Sequence, residues 1–85
     1  MTPETPLIII DNREQTPLTF QHFSSRRGTL QSGDYSLDRF ETRFTVERKS
    51  IVDLIGSLTA GRDRFERECH RLRGYDFARL LIVGH

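Results

Sequence analysis

Leu7-Ile8-Ile9-Ile10 is an uninterrupted apolar, β-branched run between Pro6 and Asp11. It predicts a short buried strand with a carboxylate at its carboxyl end, so Asp11 borders whatever cleft lies there. Asn12 to Ser25 shows no sustained period and carries Pro17, which predicts a loop. From Gly33 the pattern alternates: Tyr35 and Leu37 with Asp34 and Ser36, then Phe44 and Val46 with Thr45 and Glu47. These are two half-buried strands, and a turn around Phe40 and Glu41 pairs Tyr35 with Val46 and Leu37 with Phe44. Ser50 followed by Asp53 resembles a capping box, and Ile51, Leu54, Ile55 and Leu58 recur at helical spacing. Gly61 ends that helix. Arg62 to Arg73 forms a second one, with Phe65, Cys69 and Leu72 on its apolar stripe and Gly74 as its stop. Ala78 to Val83 is a second continuous apolar run, expected to be a strand buried on both faces beside Leu7 to Ile10. The order of strand, hairpin, two helices and strand defines an α/β domain with a small mixed sheet and flanking helices.

Composition narrows the class. Eighty-five residues make a single domain, residues 1–85, of one or two packed layers. With 35% hydrophobic and 29% charged residues the chain reads as a soluble globular domain, and its longest apolar runs are far too short to span a bilayer. The amino terminus lacks the basic start and apolar segment of a secretory signal, and the single Cys69 forms no internal disulfide; an intracellular, reducing compartment fits. The net charge of +1 lacks the bulk signature of a strong non-specific nucleic-acid binder, so any nucleic acid is held locally. Twelve of the thirteen basic residues are arginine, and the one lysine is Lys49.

The hairpin register sets Asp34 across from Glu47. Facing positions lie about 4.5–5.5 Å apart at Cβ, and like charges there repel unless a cation lies between them. Glu47 and Lys49, two apart on one strand, project from the same face, whereas Arg48 points the other way. Two carboxylates beside a fixed ammonium suit phosphodiester hydrolysis by metal-activated water, and Mg²⁺ suits this donor set, since it takes few carboxylates and keeps waters and phosphate oxygens in its shell. Lysine rather than arginine at 49 supplies a compact charge whose pKa can shift. Each residue also has a simpler reading. Asp53 serves as a helix cap, Asp34 as a turn residue after Gly33, and Asp11 with Arg13 as a local salt bridge. Cys69 is a packed core residue, and His22, His70 and His85 show no zinc-ligand spacing. The charged face of the second helix reads as solvated and salt-bridged, except that Arg62 sits at a helix amino terminus, where backbone N–H groups favour phosphate.

Taken together, Asp11-Asn12-Arg13-Glu14, Gly33-Asp34-Tyr35, and Glu47-Arg48-Lys49-Ser50 with Asp53 resemble the XPF-type structure-selective endonucleases. The resemblance continues through Asp53-Leu54-Ile55-Gly56-Ser57-Leu58 and Gly61-Arg62, and covers roughly residues 7 to 83. It implies a restriction-endonuclease-like core, dependence on Mg²⁺ with Mn²⁺ as substitute, and cutting of DNA near branches, flaps or forks. It further implies that Asp34, Glu47 and Asp11 bind the metal, that Lys49 assists the chemistry, and that Asp53 supports the site. Arg13 and Arg48 would contact phosphate or order the acidic groups. Such domains usually run on past the final strand and are followed by helix-hairpin-helix modules, so DNA targeting comes from a partner subunit or second copy, or the chain is an excised fragment. The competing expectation is a non-catalytic scaffold that binds DNA or a nuclease partner; a third keeps the core for restriction or junction resolution.

Overall fold

The structure, a computed structural model, describes residues 6–83; the readings of the amino terminus and of His85 lie outside the described residues. Five strands form one mixed sheet: β1 (Ile8–Asp11), β2 (Ser25–Gly28), β3 (Tyr35–Leu37), β4 (Phe44–Ser50) and β5 (Phe77–Val83). Their order is β2-β1-β3-β4-β5, antiparallel at β1–β3 and β3–β4 and parallel at the two outer pairs. Helices α1 (Ile51–Leu58) and α2 (Arg62–Leu72) link β4 to β5. This is the expected α/β architecture.

The hairpin register holds, with Tyr35 paired to Val46. Pairing of β1 with β3 sets Ile8 beside Leu37 and Ile10 beside Tyr35. By alternation, Ile8, Ile10, Tyr35, Leu37, Phe44, Val46 and Arg48 therefore share one face of the sheet, and Ile9, Asp11, Asp34, Thr45, Glu47 and Lys49 share the other. The first face is covered in part by the loop after β1: Phe20 meets Tyr35 edge to face at 5.9 Å, and Leu18 N–H donates to the Tyr35 hydroxyl. The second face meets α2, where Lys49 Nζ lies 5.6 Å from the centre of the Phe65 ring. The buried core consists of Ile9, Ile10, Leu30 and Tyr35 together with Asp11, Ser36 and Thr45.

Ser50 caps α1 as its spacing predicts, its hydroxyl accepting from Asp53 N–H at 3.0 Å. Three expectations are corrected. β5 runs parallel to β4, Glu47 beside Leu80 and Lys49 beside Ile82, not beside β1, because the antiparallel β3 occupies that flank of β1 and β2 the other. It is also not buried on both faces: as the edge strand it leaves Leu80, Leu81 and Ile82 about 40% exposed. Finally, the segment after the loop contains β2, a polar Ser-Arg-Arg-Gly strand that no hydrophobic pattern announces.

Candidate active site

The site sits where β1, β3 and β4 meet. Asp34, just ahead of β3, is clamped on both sides: its N–H donates to Val46 O at 2.9 Å and its carbonyl accepts from Asp11 N–H at 2.8 Å. Its Oδ2 accepts from the backbone N–H of Arg48 at 2.8 Å. Gly33 makes this approach possible. It adopts φ +84, and a Cβ there would lie 1.9 Å from Thr45 Oγ1, whose hydroxyl donates to Ser32 O at 2.9 Å. Only glycine meets both conditions at no steric cost.

Asp34 and Glu47 line one cleft of about 270 Å³ with Arg13, Gln31, Ser32, Gly33, Glu68 and Arg71. Burial pushes the Asp34 carboxyl above its ordinary value against the Arg48 hydrogen bond, and the charges of Glu14 and Asp11 add to the rise. Glu47 is pushed up to about 7, first by burial and then by repulsion from Asp34 and Glu68, with Lys49 and Arg13 opposing. Two carboxylates this strained by burial and mutual repulsion are the donor chemistry a hard divalent cation relieves. Lys49 follows Glu47 on the same strand face, its ammonium over Phe65.

Asp11, expected among the metal-binding residues, ends β1 beside Asp34, its N–H donating to Asp34 O. It is 1% exposed. Its Oδ1 accepts from Leu30 N–H at 2.9 Å, and its Oδ2 accepts from both Arg13 N–H and Arg13 Nε, the latter at 2.6 Å. Burial alone would raise its pKa, but these donors and the Arg13 charge outweigh it, and the net value is lowered. The carboxylate is thus committed to aiming Arg13, which lines the cleft. Among the described residues no three His, Cys, Asp or Glu side chains are grouped so as to hold a metal.

Arg48 turns to the opposite face, as expected from alternation. Its guanidinium donates to Thr16 O and lies 3.6 Å from Glu14 Oε2, with its side chain only 19% exposed; Glu14 also accepts from Tyr35 Oη at 2.8 Å. Asp53 lies in a separate groove with Arg13, Glu14, Arg48 and Ser50. Arg62 pairs with Glu66 at 3.1 Å and lines a third groove with Leu58, Phe65 and Cys69. The structure therefore brings Asp34, Glu47 and Arg13 together and sets Lys49 on their face, whereas Asp53 and Arg48 share a second groove with Arg13 and Arg62 lies in a third. Sequence reasoning missed Glu68, Arg71 and Glu14. A signal existed for Glu68, a charge three residues after the inward-facing Phe65 and hence within the apolar arc of α2.

A mixed sheet carrying an acidic pair beside a lysine at one end, with helices on that face, is the arrangement of an α/β nuclease-like domain. The ERCC4 domain family matches this chain over residues 10–85, and the chain belongs to that family. The DNA repair endonuclease XPF of Drosophila melanogaster is 35% identical to it over 91 aligned positions, which cover 96% of this chain and 8% of the relative. No solved structure matches. No helix among the described residues is long and apolar enough to cross a membrane.

Proposed function

We propose that this chain is the catalytic part of a metal-dependent endonuclease that hydrolyses DNA phosphodiester bonds at branched, flap or fork structures. The observation that supports it most is the convergence of Asp34 and Glu47 on one cleft from neighbouring elements, with Lys49 on the same strand face. In this reading the two carboxylates hold Mg²⁺, or Mn²⁺ in its place, with water and phosphate oxygens completing its shell. When bound there, such an ion would supply Lewis-acid chemistry, polarising phosphate and acidifying water. The Lys49 ammonium offsets charge that develops on the transferring phosphoryl group. Arg13, aimed by Asp11, contacts the DNA backbone, and Arg48 acts through its backbone N–H by fixing the orientation of the Asp34 carboxylate. Asp53 caps α1. A second copy or a partner subunit supplies DNA-targeting modules, and the protein works in the intracellular compartment that holds DNA.

The scaffold reading, binding DNA or a nuclease partner without cutting, has one observation in its favour: Asp11 spends both carboxylate oxygens within the protein. Cleavage of flap, fork, junction and plain duplex DNA under a Mg²⁺ titration separates the readings. Asp34→Asn, Glu47→Gln and Lys49→Ala are each expected to lower the cleavage rate by at least about a hundredfold while DNA affinity changes far less. Cleavage by Asp34→Asn at the wild-type rate refutes the site assignment, and a wild-type chain that binds but never cuts establishes the scaffold.

A further inference from the structure

We propose that Arg71, on α2, is a phosphate-contacting residue of the cleft, so that the DNA backbone passes between Arg13 on one wall and Arg71 on the other. This deepens the nuclease reading and rests on it. Three observations carry the proposal. Arg71 lines the same cleft as Asp34 and Glu47, as does Arg13, whereas Arg62 and Arg48, the other two arginines that the sequence nominates, lie in other grooves. Among the described residues the ion pairs engage Arg13, Arg26, Arg43, Arg48 and Arg62; Arg71 enters none of them, although acidic side chains share its cleft. In the same cleft, Arg13 is held by Asp11 through Nε and by Leu30 O through one terminal nitrogen, with its side chain 74% exposed.

The chemistry follows from the two kinds of charge in the cleft. Asp34, Glu47 and Glu68 repel a polyanion, so a phosphodiester enters only with compensating positive charge. A cation between the carboxylates supplies part of it at the reacting phosphate, and guanidinium groups on the walls supply the rest. A guanidinium free of internal partners presents a planar fork of donors that matches two phosphate oxygens. Glu68 Oε1 is buried and has no hydrogen-bond partner, and its charge reaches Glu47. It therefore lies on the inner side of α2, facing the carboxylates. Arg71, exposed and three residues further along the helix, stands toward the rim, where a backbone phosphate arrives.

The test is fluorescence anisotropy of a fluorescein-labelled forked duplex in Ca²⁺ buffer, between about 50 and 200 mM salt. It compares wild type, Arg71→Ala, Arg71→Lys and Arg62→Ala, with each variant's melting temperature checked. Loss of one phosphate contact lowers the slope of log Kobs against log salt by about 0.9. That drop is expected for Arg71→Ala, with Arg71→Lys retaining the slope and Arg62→Ala matching wild type. In Mg²⁺, Arg71→Ala is expected to raise KM for cleavage more than it lowers kcat. An unchanged slope in Arg71→Ala, or an equal drop in Arg62→Ala, overturns the proposal. If the wild type binds the fork but does not cut it, the nuclease reading fails while the slopes still judge Arg71.

Discussion

The central strands and the α1–β5 end of the molecule are built from the same kind of residue and meet opposite fates. In β1 and β3, Ile9, Ile10 and Tyr35 are 2%, 6% and 4% exposed; in α1, Val52 and Ile55 are 78% and 57% exposed. Side-chain chemistry does not distinguish them. Position does: β1 and β3 have strands on both flanks, whereas β5 is an edge and no residue of α1 is buried. Apolar spacing thus specifies which element forms, and the number of neighbours that pack on it specifies how much it stabilises. The acidic pair stands at the boundary between the two regions. Asp34 is hydrogen-bonded to β1 and β4, and Glu47 and Lys49 lie on the last turns of pleat before α1 begins.

If that contrast is right, equal substitutions have unequal effects. Ile9→Ala, which empties a fully packed position, is expected to cost about 2–5 kcal/mol. Ile55→Ala replaces an exposed residue by a better helix former and is expected to stay within about 0.5 kcal/mol of wild type. Urea unfolding of both variants measures the difference, and equal losses would show that the face of α1 is covered in solution. The glycines give a smaller contrast of opposite sign. Gly33→Ala meets both a left-handed backbone and the Thr45 hydroxyl, with an expected loss of about 1–3 kcal/mol. Gly56→Ala adds a methyl group in α1 with nothing within 4 Å and is expected to gain about 0.5–1 kcal/mol. Thermal melts of the two variants decide whether the buried half alone depends on its glycine.

The regions also differ in how far the sequence discloses them. Alternation in Tyr35-Ser36-Leu37 and Phe44-Thr45-Val46 fixes the hairpin register, because a slip of one residue would expose every apolar side chain. The faces of Glu47, Arg48 and Lys49 follow from the same rule, and Ser50 announces its cap. The partner of β5 is a different matter. A buried-looking run fits beside either β1 or β4, and only the crossover through α1 and α2, which favours a parallel neighbour, points to β4. β2 is hidden because main-chain pairing with β1 makes it a strand; its side chains are exposed. The commitment of Asp11 depends on Leu30, nineteen residues away, and no local pattern carries such a contact. Arg71 was indistinguishable in sequence from its arginine neighbours on α2, since cleft membership depends on how the helix lies on the sheet.

A further contrast bears on the boundary itself. Glu47 has its pKa raised from 4.5 to about 7 in the folded state, so between those values the folded protein binds more protons at this site than the unfolded chain does. Stability from this group is therefore fully present below about pH 4.5 and is lost as pH rises toward 7. The expected loss is on the order of 1–2 kcal/mol once solvent screening at a partly exposed cleft is allowed for. Glu47→Gln cannot ionise and is expected to flatten that stretch of the profile, leaving the metal-free protein at pH 7 as stable as wild type or more so. Ile55→Ala, in the exposed half, is expected to keep the wild-type slope. If the proposed ion binds between these carboxylates, adding Mg²⁺ at pH 7 is expected to stabilise the wild type by relieving the same repulsion, and the gain grows with free metal, reaching about 2.7 kcal/mol at a hundredfold excess over Kd. Differential scanning calorimetry of the three proteins across pH 4.5 to 7, with and without Mg²⁺, measures both effects. A Glu47→Gln protein that shows the wild-type pH slope, or the wild-type response to Mg²⁺, would place the titrating group and the ion elsewhere.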